Sequence, residues 1–316
     1  MSITVHDAGV LATIQGDPRR GFEQFGVPPS GAMDRVACLA LNALLGNAPD
    51  GPVIELALGT LNMTATETRH VAVLAQGFEL RIDGAMRALA EAHVWPAGSR
   101  LTLRRREGPG YAYLGIGGRW RLSPQLGSVS TDVRNHIGGM AGRPLQAGDC
   151  FEIESNASAD TPPARLRLRW PLQDLQHPQL RVIVHEPKLA APLFGANLTV
   201  DLNSTRQALL LHPPTSVPHD QRQRLSTPQW PGAIQALPDG RFALLGPEAQ
   251  TIGGYPLVAS VCAADLSRLG RISGGQTLRC LPVSVSAAAQ LARQQQAWLR
   301  EWLSEITLRR APNNRG

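Results

Sequence analysis

Glycine and proline punctuate this chain so often that long regular elements have little room: it has 31 Gly and 25 Pro in 316 residues. Between Val53 and Ile153 the apolar residues come in short runs. These are Val53-Ile54-Glu55-Leu56, Val71-Ala72-Val73-Leu74, Glu79-Leu80-Arg81-Ile82, Leu101-Thr102-Leu103 and Ala112-Tyr113-Leu114-Gly115-Ile116. Asp83-Gly84 is a hairpin signal, because both residues tolerate the left-handed backbone of a two-residue turn. Many short strands between turn residues predict a barrel or sandwich, not βαβ units. The fold class expected is mainly β (α+β).

One stretch interrupts this pattern. Gly26-Val27-Pro28-Pro29-Ser30-Gly31-Ala32-Met33-Asp34 is a turn-rich loop. The prolines fix φ and remove two backbone donors, and Ser30-Gly31 permits a sharp bend. Val36, Leu39, Ala40, Ala43 and Leu44 then recur at helical spacing. Ser30 or Asp34 is placed to cap that helix, and Gly46 to stop it. The stretch is either a plain strand-turn-helix corner or a helix start whose free N–H groups receive a polar ligand. Ahead of it, Gln15-Gly16-Asp17-Pro18-Arg19-Arg20-Gly21 is a polar loop. Gly127–Thr131 and Gly138–Arg143 are two more loops, serving as turns or offering hydroxyls and N–H groups to a ligand.

Residues 1–155 form the first expected domain, 156–178 a linker, 179–285 a second β-rich domain and 286–310 a helix. Leu291, Trp298, Leu299, Trp302, Leu303 and Ile306 make one apolar stripe along that helix. Ala311–Gly316 is expected to be a loose tail.

Several function classes find no support. The net charge is +6, but the basic residues are scattered and aromatics make up 5%, so no nucleic-acid surface is expected. No secretory leader or membrane-spanning run is visible. Cys38, Cys150, Cys262 and Cys280 form no CxxC pair. A cytoplasmic protein with reduced thiols is expected. The histidines, among them His136, His212 and His219, show no metal spacing. There is no GxSxG elbow and no P-loop. Gly115-Ile116-Gly117-Gly118 lacks the helix that a dinucleotide fingerprint needs.

A second informative stretch lies late in the chain. Pro231-Gly232-Ala233-Ile234-Gln235 is followed by a Pro238-Asp239-Gly240 turn and by Gln250-Thr251-Ile252-Gly253-Gly254-Tyr255-Pro256. Gly253-Gly254 suggests unusual backbone angles or close approach of a ligand. Gln235, Gln250, Thr251 and Tyr255 supply neutral donors and acceptors, a set suited to an amide- or urea-like group.

Together, Gly9–Gln15, Gly26–Asp34, Gly127–Thr131, Gly232–Gln235 and Gln250–Pro256 resemble, in order and spacing, the allophanate hydrolase subunit 2-like proteins. That family includes the C component of bacterial 5-oxoprolinase and the carboxyltransferase domain of urea carboxylase. The resemblance implies two cyclophilin-like β-barrel domains with a cleft between them. It also implies other polypeptides as partners, a B-type protein and, in the enzyme, an A-type one, together with a small-molecule amide. ATP would be used by the complex and no cofactor held tightly by this chain; in a carboxyltransferase alternative, biotin would arrive on another chain. Arg19, Asp34, Gln235 and Tyr255 become the catalytic candidates. Gln15, Ser30, Gly31, Met33, Thr251, Gly253 and Gly254 become the substrate-binding ones. No metal is implied.

The chain departs from the family pattern at four places. Gly16 stands where an acid is usual, Thr227-Pro228 replaces Glu-Gly, and Leu210 and Leu257 replace cations. These losses imply either a different substrate or a catalytically degenerate chain that binds and regulates the B-type protein.

Overall fold

The computed structural model describes residues 2–108, 110–155, 166–168, 178–217 and 224–310. The expected linker, save 166–168 and 178, lies outside the described residues, as do His219 and the tail. The chain divides into two compact units. Unit 1 comprises Met1–Arg19, Ser30–Pro171 and Leu299–Gly316; unit 2 comprises Arg20–Pro29 and Leu172–Trp298. The division falls inside the Gly26–Asp34 loop, between Pro29 and Ser30.

Unit 1 contains strands β1 (Ser2–Ala8), β2 (Ala12–Gln15), β3 (Val53–Leu56), β4 (Thr60–Ala65), β5 (Arg69–Leu74) and β6 (Phe78–Ile82). It continues with β7 (Ala85–Arg87), β8 (Ala92–Trp95), β9 (Arg100–Arg105), β10 (Ala112–Ile116), β11 (Arg119–Arg121) and β12 (Cys150–Glu154). They form two sheets, in the orders β11-β12-β1-β4-β9-β6-β7 and β2-β3-β10-β5-β8. Asp83 and Gly84 join β6 to β7 with φ of 48° and 77°, the left-handed pair a tight hairpin requires.

Burial explains the layering. Strands β4 and β6 alternate, with one face covered, whereas β3, β5 and β10 are buried throughout. Val71, Val73, Leu114 and Ile116 join the core that contains the seven-stranded sheet's Leu61, Met63, Leu80 and Leu103. Their strand neighbours Ala72, Leu74 and Tyr113 point the other way, onto helix α1 (Arg35–Leu45) through Leu41, Leu44 and Leu45. Ile306 packs on the same cluster, with Trp302 and Leu303 at its margin. Gly115 is needed for this contact: a Cβ there would lie 2.7 Å from Leu45 Cδ1. Gly115 thus serves helix-on-sheet packing, whereas Gly118, at φ 124°, is held small by the Glu154 carbonyl, 2.4 Å from where its Cβ would lie.

Helix α1 starts and stops as its sequence predicts. Asp34 Oδ1 accepts a 3.0 Å hydrogen bond from Ala37 N, and Gly46 ends the helix with φ 71°. Of the two candidate caps, Asp34 is the one used.

Unit 2 contains β13 (Gln179–Val184), α2 (Pro187–Ala190), β14 (Leu198–Val200), β15 (Ala208–His212), β16 (Thr227–Pro228) and β17 (Ala233–Ala236). Then come β18 (Phe242–Leu245), β19 (Ile252–Gly253), β20 (Leu257–Val261) and β21 (Thr277–Pro282). Seven of these close into a barrel in the order β13-β20-β17-β18-β15-β14-β21. Its interior is filled by fully buried residues such as Val182, Leu211, Ile234, Phe242, Leu244 and Leu278. Burial pushes the Cys280 thiol up to about 12. The mainly β class holds; the ring of hydrogen bonds is complete in unit 2, and unit 1 wraps two sheets around one core. Helix α3 (Val285–Arg310) ends the described chain. Among the described residues no helix is long and apolar enough to cross a membrane.

Candidate functional site

Each unit gathers part of the predicted residue set, and each gathering leaves buried polar atoms without a partner among the described residues. In unit 1, Gln15 ends β2 fully buried. Its Nε2 donates to Thr13 Oγ1 at 3.0 Å and to the Thr131 carbonyl at 3.1 Å, while Oε1 has no partner. Arg19 is 1% exposed. Its Nε donates to the Gln125 carbonyl (3.2 Å) and Nη2 to the Ser130 carbonyl (2.8 Å), whereas Nη1 has no partner. Burial lowers its pKa and the nearby Asp132 charge partly restores it. Ser30, with φ 54°, bends the chain beside Gly31 at φ 91°. The Ser30 hydroxyl is buried and unpartnered too. An orphaned buried polar atom is an unfavourable feature that most native sites avoid.

The loops behind these residues serve Arg19. Ser128 and Ser130 hydroxyls both donate to the Asp17 carbonyl, at 2.6 and 3.0 Å, and Thr131 Oγ1 donates to the Ile14 carbonyl at 2.9 Å. Gly138 lies so close that a Cβ would sit 2.1 Å from the Ser130 carbonyl oxygen and 3.1 Å from Arg19 Nη2. These hydroxyls are spent on the fold, so of the two readings of Gly127–Thr131 and Gly138–Arg143 the turn is the one observed.

Met33 and Asp34 are held by two residues that sequence reasoning missed. Met33 N donates to Glu55 Oε2 at 2.8 Å, and Asp34 N donates to the Tyr113 hydroxyl at 3.0 Å. Burial, reinforced by the Glu55 and Asp34 charges, drives the Tyr113 and Cys38 pKa values well up. The signal for Glu55 was present: one carboxylate inside the apolar run Val53–Leu56.

In unit 2 the candidates gather around Gly253. Gln235 is buried on β17; its Oε1 accepts from Gln250 Nε2 at 3.5 Å, the outer limit for a hydrogen bond, and its Nε2 has no partner. Gln229, absent from the predicted set, is also buried. Its Nε2 donates to Thr227 Oγ1 at 3.1 Å and its Oε1 is unpartnered. The backbone N–H of Gln229 donates to the Thr251 carbonyl at 2.8 Å, extending the β16–β19 ribbon. A Cβ on Gly253 would lie 2.9 Å from Gln235 Nε2 and 3.3 Å from Gln229 Cγ, so both glutamines flank that glycine. Tyr255 is 47% exposed.

One expectation needs correction. Neither Gly253 nor Gly254 adopts a left-handed φ. Gly253 is small because Gln235 approaches it. At Gly254 a Cβ would meet nothing nearer than Ser226 Oγ at 3.7 Å, so neither strain nor crowding accounts for it. At Leu210 and Leu257, where the resemblance leads one to expect cations, the side chains pack on an apolar cluster of Ala233, Ala243, Leu245 and Ala249. Arg206 is retained and buried, with Nε 2.5 Å from Glu248 Oε1. Among the described residues no group of three His, Cys, Asp or Glu side chains is placed to hold a metal.

Residues 25–281 match the family model "Carboxyltransferase domain, subdomain A and B". The chain is 32% identical over 299 residues to the C component of 5-oxoprolinase from Haemophilus influenzae, covering 94% of this chain and 96% of that one. It is 30% identical over 307 residues to the same component from Escherichia coli, covering 93% and 95%. Urea amidolyase of K. lactis has the same fold across 95% of this chain and 20% of its own length, with TM-score 0.83 at 21% identity.

Proposed function

The chain belongs to the family of carboxyltransferase domains with subdomains A and B, and from that premise we propose that it is the amide-binding component of an ATP-dependent hydrolase complex of the 5-oxoprolinase kind. The observation that carries this reading is that each of the two glutamines flanking Gly253 holds one unsatisfied buried atom: an acceptor, Gln229 Oε1, and a donor, Gln235 Nε2. A lactam presents its N–H and C=O on one edge, cis to each other. One acceptor and one donor from this glutamine pair complement that edge, and both orphaned atoms would gain partners when it binds.

Thr251 and Tyr255 would orient the ligand in unit 2, with the bare backbone at Gly253 and Gly254 leaving room for it. In unit 1, Arg19 Nη1, the Ser30 hydroxyl and nearby N–H groups suit an oxygen that gains negative charge, and Gln15 Oε1 suits a donor. Asp34, engaged as a helix cap, would fix the Gly31–Met33 backbone. ATP would be used by the complex that this chain forms with partner proteins of the A and B types.

A second reading, a non-catalytic chain that binds and regulates a B-type protein, draws on Leu210 and Leu257. Reconstitution with A- and B-type partner proteins separates the two. ATP-dependent opening of 5-oxoproline supports the enzyme; stable co-purification without turnover supports the regulator. A urea arm with biotinylated carrier tests carboxyl transfer.

The ligand assignment has its own test. Isothermal titration of the chain with 5-oxoproline should give binding, and Gly253→Ala should weaken it at least 10-fold by pushing the Gln235 amide aside. Because the displaced group is the end of a flexible side chain, the melting temperature should stay within about 4 °C. Equal affinity in Gly253→Ala would remove the glutamine pair from the site.

A further inference from the structure

The outer face of the unit 2 barrel carries a serine–histidine pair that no part of the sequence motif suggests. Ser260 lies on β20 and is 7% exposed; its Oγ is 2.9 Å from His185 Nε2. His185 follows β13, and its backbone N–H donates to the Val258 carbonyl at 2.9 Å, fixing the ring's origin beside β20. The ring itself is exposed, so protons can pass between it and water. With the imidazole proton on Nδ1, the Ser260 hydroxyl donates to Nε2, the arrangement in which a serine oxygen is activated.

Register places a third group on the same face. Ser260 pairs with Ala233 across the β17–β20 ladder, and Gln235 pairs with Leu257 after a bulge. Side chains of paired residues share a face, and so do residues two apart on one strand. Ser260, Ala233 and Gln235 therefore look outward together, while Ile234 and Ala259 fill the interior. Gln235 is about 7 Å along the strand from Ala233. Its Nε2 is the unpartnered donor described above.

We propose that Ser260 is an acyl-accepting nucleophile, with His185 as its base and Gln235 as the donor to the oxygen that becomes negative. The choice of a cyclic or urea-like amide as acyl donor rests on the function proposed above; the reactivity of Ser260 does not. In the first step the Ser260 proton passes to His185 Nε2 and Oγ bonds to the amide carbonyl carbon. The carbonyl oxygen takes up the charge against Gln235 Nε2. The C–N bond then breaks and the nitrogen leaves with the proton from His185. Water, deprotonated by His185, cleaves the resulting ester and restores the Ser260 hydroxyl.

An alkyl fluorophosphonate tests this without knowledge of the substrate, since fluoride replaces the amine as leaving group. Intact mass spectrometry of the full chain should show one adduct, mapped by peptide digestion to Ser260. Ser260→Ala should abolish it, and His185→Gln should slow it about 100-fold, the usual contribution of a general base. Ser260→Cys supplies a second probe whose geometry differs little: its thiol should alkylate with iodoacetamide at least 10-fold faster than in Ser260→Cys/His185→Gln. Absence of an adduct at Ser260, or His185→Gln labelling at the native rate, would overturn the proposal. 5-Oxoproline binding with no labelling would overturn it and leave the amide reading standing; labelling with no 5-oxoproline binding would do the reverse.

Discussion

Glu248→Ala is expected to destabilise unit 2 by about 3–5 kcal/mol, enough to lower its melting temperature by roughly 10 °C or more. The reason is burial. Arg206 and Glu248 are 3% and 6% exposed, with Nε 2.5 Å from Oε1. Deleting the carboxylate leaves a guanidinium facing protein instead of water. The backbone around the pair cannot relax to admit solvent, because the Glu248 N–H donates to the Arg206 carbonyl at 3.2 Å. Gly246 presses on the same carbonyl so closely that a Cβ would sit 2.2 Å from its oxygen. Replacing both partners by apolar residues of similar size, Arg206→Met with Glu248→Leu, should recover most of the loss, since no buried charge then remains. Denaturant titration of the single and double variants checks both outcomes. A single-variant loss under about 1 kcal/mol would mean that water reaches the pair. The same experiment bears on the ligand face, because Glu248 anchors the chain just before Gln250 and Gly253.

The parts of the fold legible in the sequence were those set by local rules. Gly and Pro spacing announced short strands, Asp83-Gly84 announced its hairpin, and Asp34 and Gly46 bracketed α1. Each depends on a few adjacent residues. The candidate site was legible only as a residue inventory. Gln15, Arg19 and Gln235 could be picked out, but their unsatisfied atoms could not, because hydrogen-bond completion depends on carbonyls as distant as Ser130 is from Arg19. Gln229 was missed for that reason: nothing beside it in the sequence reveals that β16 and β19 pair and bring it against Gly253. The His185–Ser260 contact was less accessible still, since 75 residues separate its partners and only barrel closure joins β13 to β20. The Gly253-Gly254 step shows the opposite error. A local rule offered unusual backbone angles or close approach of a ligand, whereas the demand for a small residue at Gly253 comes from a side chain on another strand.

Arg19→Met should separate stability from binding. Arg19 is a buried cation with no carboxylate within ion-pair distance among the described residues; two carbonyls hold it, and Nη1 meets nothing. Burial lowers its folded-state pKa, with Asp132 opposing. For a base, a lowered folded pKa means that the charged form is disfavoured by folding, so the cation weakens stability at every pH below its unfolded value, the whole working range. Methionine removes that penalty and fills much of the same volume, but leaves the Gln125 and Ser130 carbonyls short of a donor, a loss of about 1–3 kcal/mol. The two effects oppose, and the melting temperature should change by less than about 4 °C. Ligand affinity should not be spared. A hydrogen bond from a guanidinium to an oxygen bearing negative charge is worth about 1.5–3 kcal/mol, so an oxyanion bound in unit 1 should be held about 10- to 150-fold more weakly. Arg19→Lys keeps the charge but loses the planar fork that reaches both carbonyls and the ligand at once, and should bind with intermediate affinity. Calorimetric titration beside a thermal melt reads both quantities on one sample. A large fall in melting temperature with affinity unchanged would make Arg19 a brace for the Gln125–Ser130 turn and remove it from the site.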